Sequence, residues 1–241
     1  MQYPAPGLRW GSRDLAAELA RAALTTARRL AAGATMWCVA PAWPEHARHI
    51  AVEFVHPVIV GKRAVPAVAV DDADPVAALR SLASAGDIVV AVSESGEPAV
   101  RDVMRRAPAW GVTTLWIGAG ARPPGNAADH VLWLEAPNPF ARYDGSLVLL
   151  YHVLWELTHV CFEHPGLLTV EPCVDDEACV TCSDEGRPAE VLEGSSAHTV
   201  AVRSARGVET IDTTLVGPVV PGDLVLVHAG TAIAILDESS P

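Results

Sequence analysis

Hydrophobic positions along the first two thirds of the chain switch between a helical and a strand rhythm. Over 13–32, Leu15, Leu19, Ala22, Ala23 and Leu30 form one helical stripe with arginines between them, and Gly33 closes the segment. The apolar run over 34–39, bounded by Gly33 and Pro41, predicts a buried strand. A helix is expected over 44–56, entered through Pro44, then a strand over 67–70, a short helix over 75–83 and a strand over 87–92. The turn Ser93-Glu94-Ser95-Gly96 leads into a helix near Pro98, followed by strands over 112–117 and 130–134 and a long helix over 145–162. Continuous apolar strands separated by helices predict an α/β fold whose parallel sheet is covered on both faces.

After Pro172 the rhythm becomes that of short strands: 188–192, 199–203, 208–213, 223–228 and 232–236, separated by glycine-containing turns. This spacing predicts a small all-β barrel. The segment 171–185 holds Cys173, Cys179 and Cys182 among six acids. The organisation read from these shifts is an α/β domain over 1–167, an acidic linker over 168–178 and a barrel over 179–241.

Composition narrows the function. The formal charge is −12, the wrong sign for a protein that tracks nucleic-acid phosphates or an anionic membrane. No apolar run is long enough to span a bilayer and no secretory leader is visible, so a cytoplasmic protein is expected. Three clustered cysteines in an odd total of five predict reduced thiols with a task rather than a disulfide framework. Cys38 and Cys161 fall on apolar runs and read as core thiols. Lys62 is the only lysine beside many arginines and alanines, a coding bias that weakens alanine runs as helix signals.

The stretch from Asp87 through Val92-Ser93-Glu94-Ser95-Gly96, with Gly111-Val-Thr-Thr-Leu-Trp-Ile-Gly118 beyond the helix, resembles the SIS (sugar isomerase) family over residues 10–165. The resemblance is closest to the sedoheptulose-7-phosphate isomerase branch. It implies a sugar-phosphate (carbohydrate derivative) site at Ser93, Ser95 and His49, hydroxyls and helix N–H groups together holding an anion. His49-Ile-Ala-Val-Glu53 resembles that branch's helix carrying the acid–base Glu, which makes Glu53 and His152 the implied catalytic pair. The chain departs from the family in three places. Val39-Ala40-Pro41-Ala42-Trp43 replaces a glycine-rich phosphate loop, Glu94 and Glu97 bring negative charge to the second loop, and Asp144 stands where the family has Gln. The expectation is therefore a domain that oligomerises or binds a ligand without isomerising it. Read without the resemblance, His49 and Glu53 fit a solvated i, i+4 pair. His152, Glu156, His159 and Glu163 fit the polar face of a helix, with pocket-lining or metal binding as alternatives.

The phrase Gly222-Asp-Leu-Val-Leu-Val-His228-Ala-Gly230-Thr-Ala-Ile resembles the HypC/HupF family of nickel–iron hydrogenase maturation chaperones, over about residues 179–238. The resemblance implies an OB-like barrel whose cysteine arm holds a transient iron–cyanide–carbonyl unit. With a partner maturation protein, such a chaperone hands that unit to the hydrogenase large-subunit precursor. Cys182 occupies nearly the family spacing before the first barrel strand and is the implied metal thiolate; Cys179 is the alternative and His228 a second candidate ligand. Cys179 and Cys182 also fit a redox pair. They also fit half of a zinc site, with Cys173, Cys161 and His164 the nearest candidates for the remaining ligands, and His228 fits a core histidine. The combined expectation is a maturation chaperone, with a sugar-phosphate isomerase or binding protein as the alternative. It is also expected to be a homo-oligomer, a dimer through the first domain, because the stripe on 13–32 needs cover.

Overall fold

The computed structural model describes residues 13–134, 145–169, 186–193 and 198–236. The first part alternates as expected: α1 (Arg13–Ala31), β1 (Met36–Val39), α2 (Pro44–Val55), β2 (Ala67–Val70), α3 (Pro75–Leu82), β3 (Ile88–Val92), α4 (Pro98–Arg106), β4 (Thr113–Ala119), β5 (His130–Leu134) and α5 (Ser146–Glu163). A 3-10 turn, Ala107–Trp110, follows α4. The sheet is five-stranded and parallel in the order β2-β1-β3-β4-β5. Period-two alternation divides each strand between two cores. Met36, Cys38, Ile88, Val90, Leu115 and Ile117 face one core, shared with α1, α2 and α5. Trp37, Val39, Val89, Ala91 and Trp116 face the other, shared with α3, α4 and Trp110.

Local chemistry fixes the element ends. Asp74 caps α3 by accepting from the Ala77 N–H at 3.0 Å, and Pro75 supplies the first helical position. Asp87 ties three segments together before β3, accepting from the backbone N–H of Thr35 (2.8 Å) and Ser84 (2.9 Å) and from Trp37 Nε1 (2.9 Å). The stripe on α1 that predicted a second copy is covered within the chain: Leu15, Leu19, Ala22, Ala23 and Leu30 pack into the first core against α5. Cys38 and Cys161 are buried, as read from the sequence, and burial pushes both thiols up. Among the described residues no helix is long and apolar enough to cross a membrane.

Strands β6 (Arg187–Glu193), β7 (Thr199–Ser204), β8 (Gly207–Asp212), β9 (Leu224–His228) and β10 (Thr231–Ile235) close a barrel in the order β10-β8-β7-β6-β9. Ala189, Val191, Val200, Val202, Ile211, Val225 and Val227 fill it. Its β9–β10 hairpin turns through Ala229 and Gly230, both at positive φ (48° and 81°), the conformation a two-residue hairpin of this twist demands.

The barrel sits on the α3–α4 layer of the sheet. The Glu190 side chain is only 1% exposed. Its carboxylate accepts from Arg80 (2.7 and 3.1 Å), from Arg106 (2.8 Å) and from Trp110 Nε1 (2.8 Å). Arg106 also donates to the Gly222 carbonyl at 2.7 Å. Arg203 donates to the carbonyls of Arg80 (2.6 Å) and Ala83 (2.7 Å) at the end of α3, where a cation suits the helix dipole. Leu224 of β9 is buried in the sheet's second core. Gly111, at φ 74°, lets the two units approach: a Cβ there would lie 2.9 Å from Ala85 Cβ and 3.0 Å from Ala205 Cα.

Candidate functional site

Two places carry the sequence-predicted chemistry, and they lie on different parts of the molecule. The first is built by α2 and α5. One helical turn puts His49 and Glu53 on the same face of α2, with Nε2 and Oε1 3.4 Å apart. Across from them, His152 Nε2 lies 3.3 Å from His49 Nε2 and 3.8 Å from Glu53 Oε1. Tyr151 Oη is 2.9 Å from His49 Nδ1 and 3.4 Å from His46 Nδ1. Trp155 Nε1 donates to the Glu53 carbonyl at 2.9 Å, fastening α2 to α5 beneath the cluster. Burial, reinforced by Glu53 and Glu45, pushes the Tyr151 hydroxyl up to about 12, so it stays protonated at neutral pH. One ligand atom from each of His49, Glu53 and His152 falls within a 4.8 Å cluster. Two imidazoles and a carboxylate are a donor set that fits a divalent transition metal, and equally an acid–base pair.

The sequence linked His49, Glu53 and His152 but missed Tyr151 and His46, whose spacing alone is that of core positions. The expected polar face of α5 divides three ways. His152 joins the cluster, and Glu156 and Glu163 pair with Lys62 at the surface (3.2 and 2.9 Å). His159 is 1% exposed, with its ring nitrogens against the carbonyls of Trp155 (2.9 Å) and Arg63 (3.0 Å). The correction has a physical cause: Phe54 and the segment carrying Arg63 cover the last turns of α5, and periodicity within one helix cannot show what another segment covers.

Burial pulls the His46 imidazole below its ordinary pKa, and His130 likewise. Each takes up a proton less readily folded than unfolded. Stability is therefore expected to fall as pH drops through the unfolded value near ~6.5. Urea unfolding between pH 7 and pH 5.5 checks this: the drop should be smaller in His46→Gln than in the parent, and an equal drop would assign it to other groups.

The serines of the β3–α4 turn do not converge with this cluster. Ser93 is fully buried; its hydroxyl donates to the Glu94 carbonyl (3.0 Å) and accepts from Trp116 Nε1 (2.9 Å). Ser95 lines a cavity on the α4 side of the sheet, whereas His49 belongs to the α2–α5 layer. In place of a glycine-rich loop after β1, Pro41 and Ala42 lead to Trp43, which packs on the first core and stands edge-on to His46. Asp144 lies outside the described residues.

The second place is the barrel end that carries His228. Arg187 pairs with Val227, so the chain enters the barrel beside His228, and Gly186 lies against Leu226. His228 is half-buried at the mouth of the β9–β10 hairpin. Cys173, Cys179 and Cys182 lie outside the described residues. The opposite end of β6 and β9, at Glu190 and Leu224, is the end docked on the sheet.

Residues 186–240 match the HupF/HypC family model. The match covers the described barrel and the phrase around His228. Among solved structures, a phosphoheptose isomerase from Francisella tularensis is similar at 14% identity and a TM-score of 0.51, over 61% of this chain and 90% of that one. At 18% identity, the phosphoheptose isomerase GmhA from Neisseria gonorrhoeae has a TM-score of 0.48 over 59% of this chain and 86% of that one. The Francisella likeness shows the fold of the sheet domain. A comparison with curated proteins found no match.

Proposed function

We propose that this protein is a maturation chaperone of a nickel–iron hydrogenase, its barrel the part that handles iron. The observation that carries the reading is the family match over 186–240, which contains His228. Its geometry supports it: the chain leading from Cys179 and Cys182 enters at the His228 end, while the other end is occupied by the docked sheet domain. The cargo is an iron carrying cyanide and carbon monoxide, taken from a partner maturation protein and passed to the large-subunit precursor. A thiolate from Cys182 suits such low-spin iron, with Cys179 as the alternative, and His228 would supply a second ligand or accept a proton. Zinc on the same cysteines remains the competing metal. The sheet domain serves as a scaffold or ligand-binding unit of a cytoplasmic protein.

A second reading, sugar-phosphate chemistry, draws on the convergence of His49, Glu53 and His152. It is disfavoured by the missing phosphate cradle, since Ser93 is sealed under Trp116 and Pro41 and Trp43 occupy the first loop. No turnover of sedoheptulose 7-phosphate is expected. Clear turnover that Glu53→Gln abolishes would establish this second reading.

The chaperone reading is tested by affinity purification of the full chain from cells making a hydrogenase. The large-subunit precursor should copurify, and should be lost once the mature metal site is complete. Failure to recover precursor from cells blocked late in maturation would refute the reading.

A further inference from the structure

A cavity of about 440 Å³ lies where α4, the loop after β4 and the barrel meet. It lies apart from the His49 cluster and from the His228 end of the barrel, and takes in Ser95. One wall is barrel, through Leu224 and Leu236; the other is sheet domain, through Met104 and Trp116, with Arg101 and Arg105 at its polar side. Trp116, Met104 and Leu224 are only 1–3% exposed and form the floor of the hollow, while Pro98, Pro108, Pro124 and Leu236 give it open apolar surface. Asp102 is already engaged by Arg105 (2.7 Å) and Arg106 (3.3 Å), and these cations hold its carboxyl below the usual range. Exposed Arg101 has no side-chain partner among the described residues. The balance of the lining is thus positive, in a chain whose formal charge is −12.

From this geometry we propose that the cavity is a binding site for a small anionic amphiphile, a carboxylate, sulfonate or phosphate head on an aromatic or aliphatic body. The volume suits a small molecule, and clefts between domains are common places for such sites. The head pairs with Arg101 and Arg105, and the body lies against Pro98, Pro108, Pro124 and Leu236 above the buried floor. A bare sugar fits poorly, because Ser95 and Asn126 are the only uncharged polar side chains in the lining among the described residues. The ligand touches both units. Through Asp102 the site also continues into Arg106 and Glu190, the ion pairs that dock the barrel, so occupancy favours the docked state.

The test uses the full chain and the fluorescent anion 1-anilinonaphthalene-8-sulfonate, with neutral N-phenyl-1-naphthylamine as its uncharged counterpart. Saturable binding of one anion per chain is expected, together with a raised melting midpoint. Arg101→Gln should weaken the anion about tenfold and leave the neutral probe unchanged, as expected for loss of one charge-assisted contact. Leu236→Asp should weaken both. Arg48→Gln, on the exposed α2 surface, should weaken neither. If Leu236→Asp fails to fold, Arg101→Gln decides alone, since that exposed side chain has no hydrogen bond or ion pair among the described residues. Anion binding that does not saturate, or that is indifferent to Arg101, would overturn the proposal. Neither result depends on any hydrogenase.

Discussion

Glu190→Ala should lower the unfolding free energy by about 3 kcal/mol, and should split one unfolding transition into two. The carboxylate accepts four hydrogen bonds, from Arg80, Arg106 and Trp110, in a place closed to water. Removing one partner of a buried ion pair typically costs ~3–5 kcal/mol, because the remaining charges lose compensation without regaining full hydration. The lower figure applies because the Arg80 side chain is 39% exposed and can turn to solvent, whereas Arg106, at 16%, cannot do so easily. Loss of about 3 kcal/mol corresponds to roughly 6–12 °C in melting midpoint for a chain of this size. Urea unfolding followed by tryptophan fluorescence checks it, since Trp110 reports the interface itself. Glu190→Gln should fall between parent and Ala, keeping acceptor shape but not charge. A Glu190→Ala protein within about 1 kcal/mol of the parent would mean that Leu224 and Arg203 dock the barrel without the ion pairs.

Cys182→Ala should abolish hydrogenase maturation while leaving the fold intact. An ordinary exposed thiol, with a pKa near ~8.5, is mostly protonated at neutral pH. On the proposed reading, iron coordination would reverse this by favouring the thiolate. On the proposed reading the cysteine serves metal transfer, which is why its loss is expected to stop maturation. Cys179→Ala should be milder unless the two thiols act together. His228→Ala should be intermediate, since it removes a candidate ligand at the hairpin mouth. Hydrogen uptake in a strain that relies on the variant as its only such chaperone measures all three. Activity lost with Cys179→Ala and kept with Cys182→Ala would transfer the role to Cys179. Full activity with both replaced would sink iron delivery.

Strands such as Ile88–Val92 were legible because a fully buried parallel strand leaves a continuous apolar run, and the helices because Pro44, Pro75 and Pro98 mark their first turns. The His49, Glu53 and His152 grouping was legible through a family likeness, not through spacing, since about a hundred positions separate the two helices. Glu190 was not legible at all. It lies between Ala189 and Val191, which point into the barrel, so alternation assigns it to the solvent face. Only the sheet domain, through Arg80, Arg106 and Trp110, turns that face into an interior. The sealing of Ser93 by Trp116 escaped for the same reason: the motif shows two hydroxyls, and the neighbour that consumes one is on another strand.

The close approach at Gly111 sets terms for exchanging parts. A barrel grafted from a free-standing relative would meet a socket shaped for this one. It would need a carboxylate matching Glu190, a small residue matching Ala205 and an apolar plug matching Leu224 before it could seat. Transplanting this barrel alone would expose Glu190, Arg203 and Leu224 to water, so the natural unit for transfer between chains is the barrel together with α3, α4 and the Ala107–Trp110 turn.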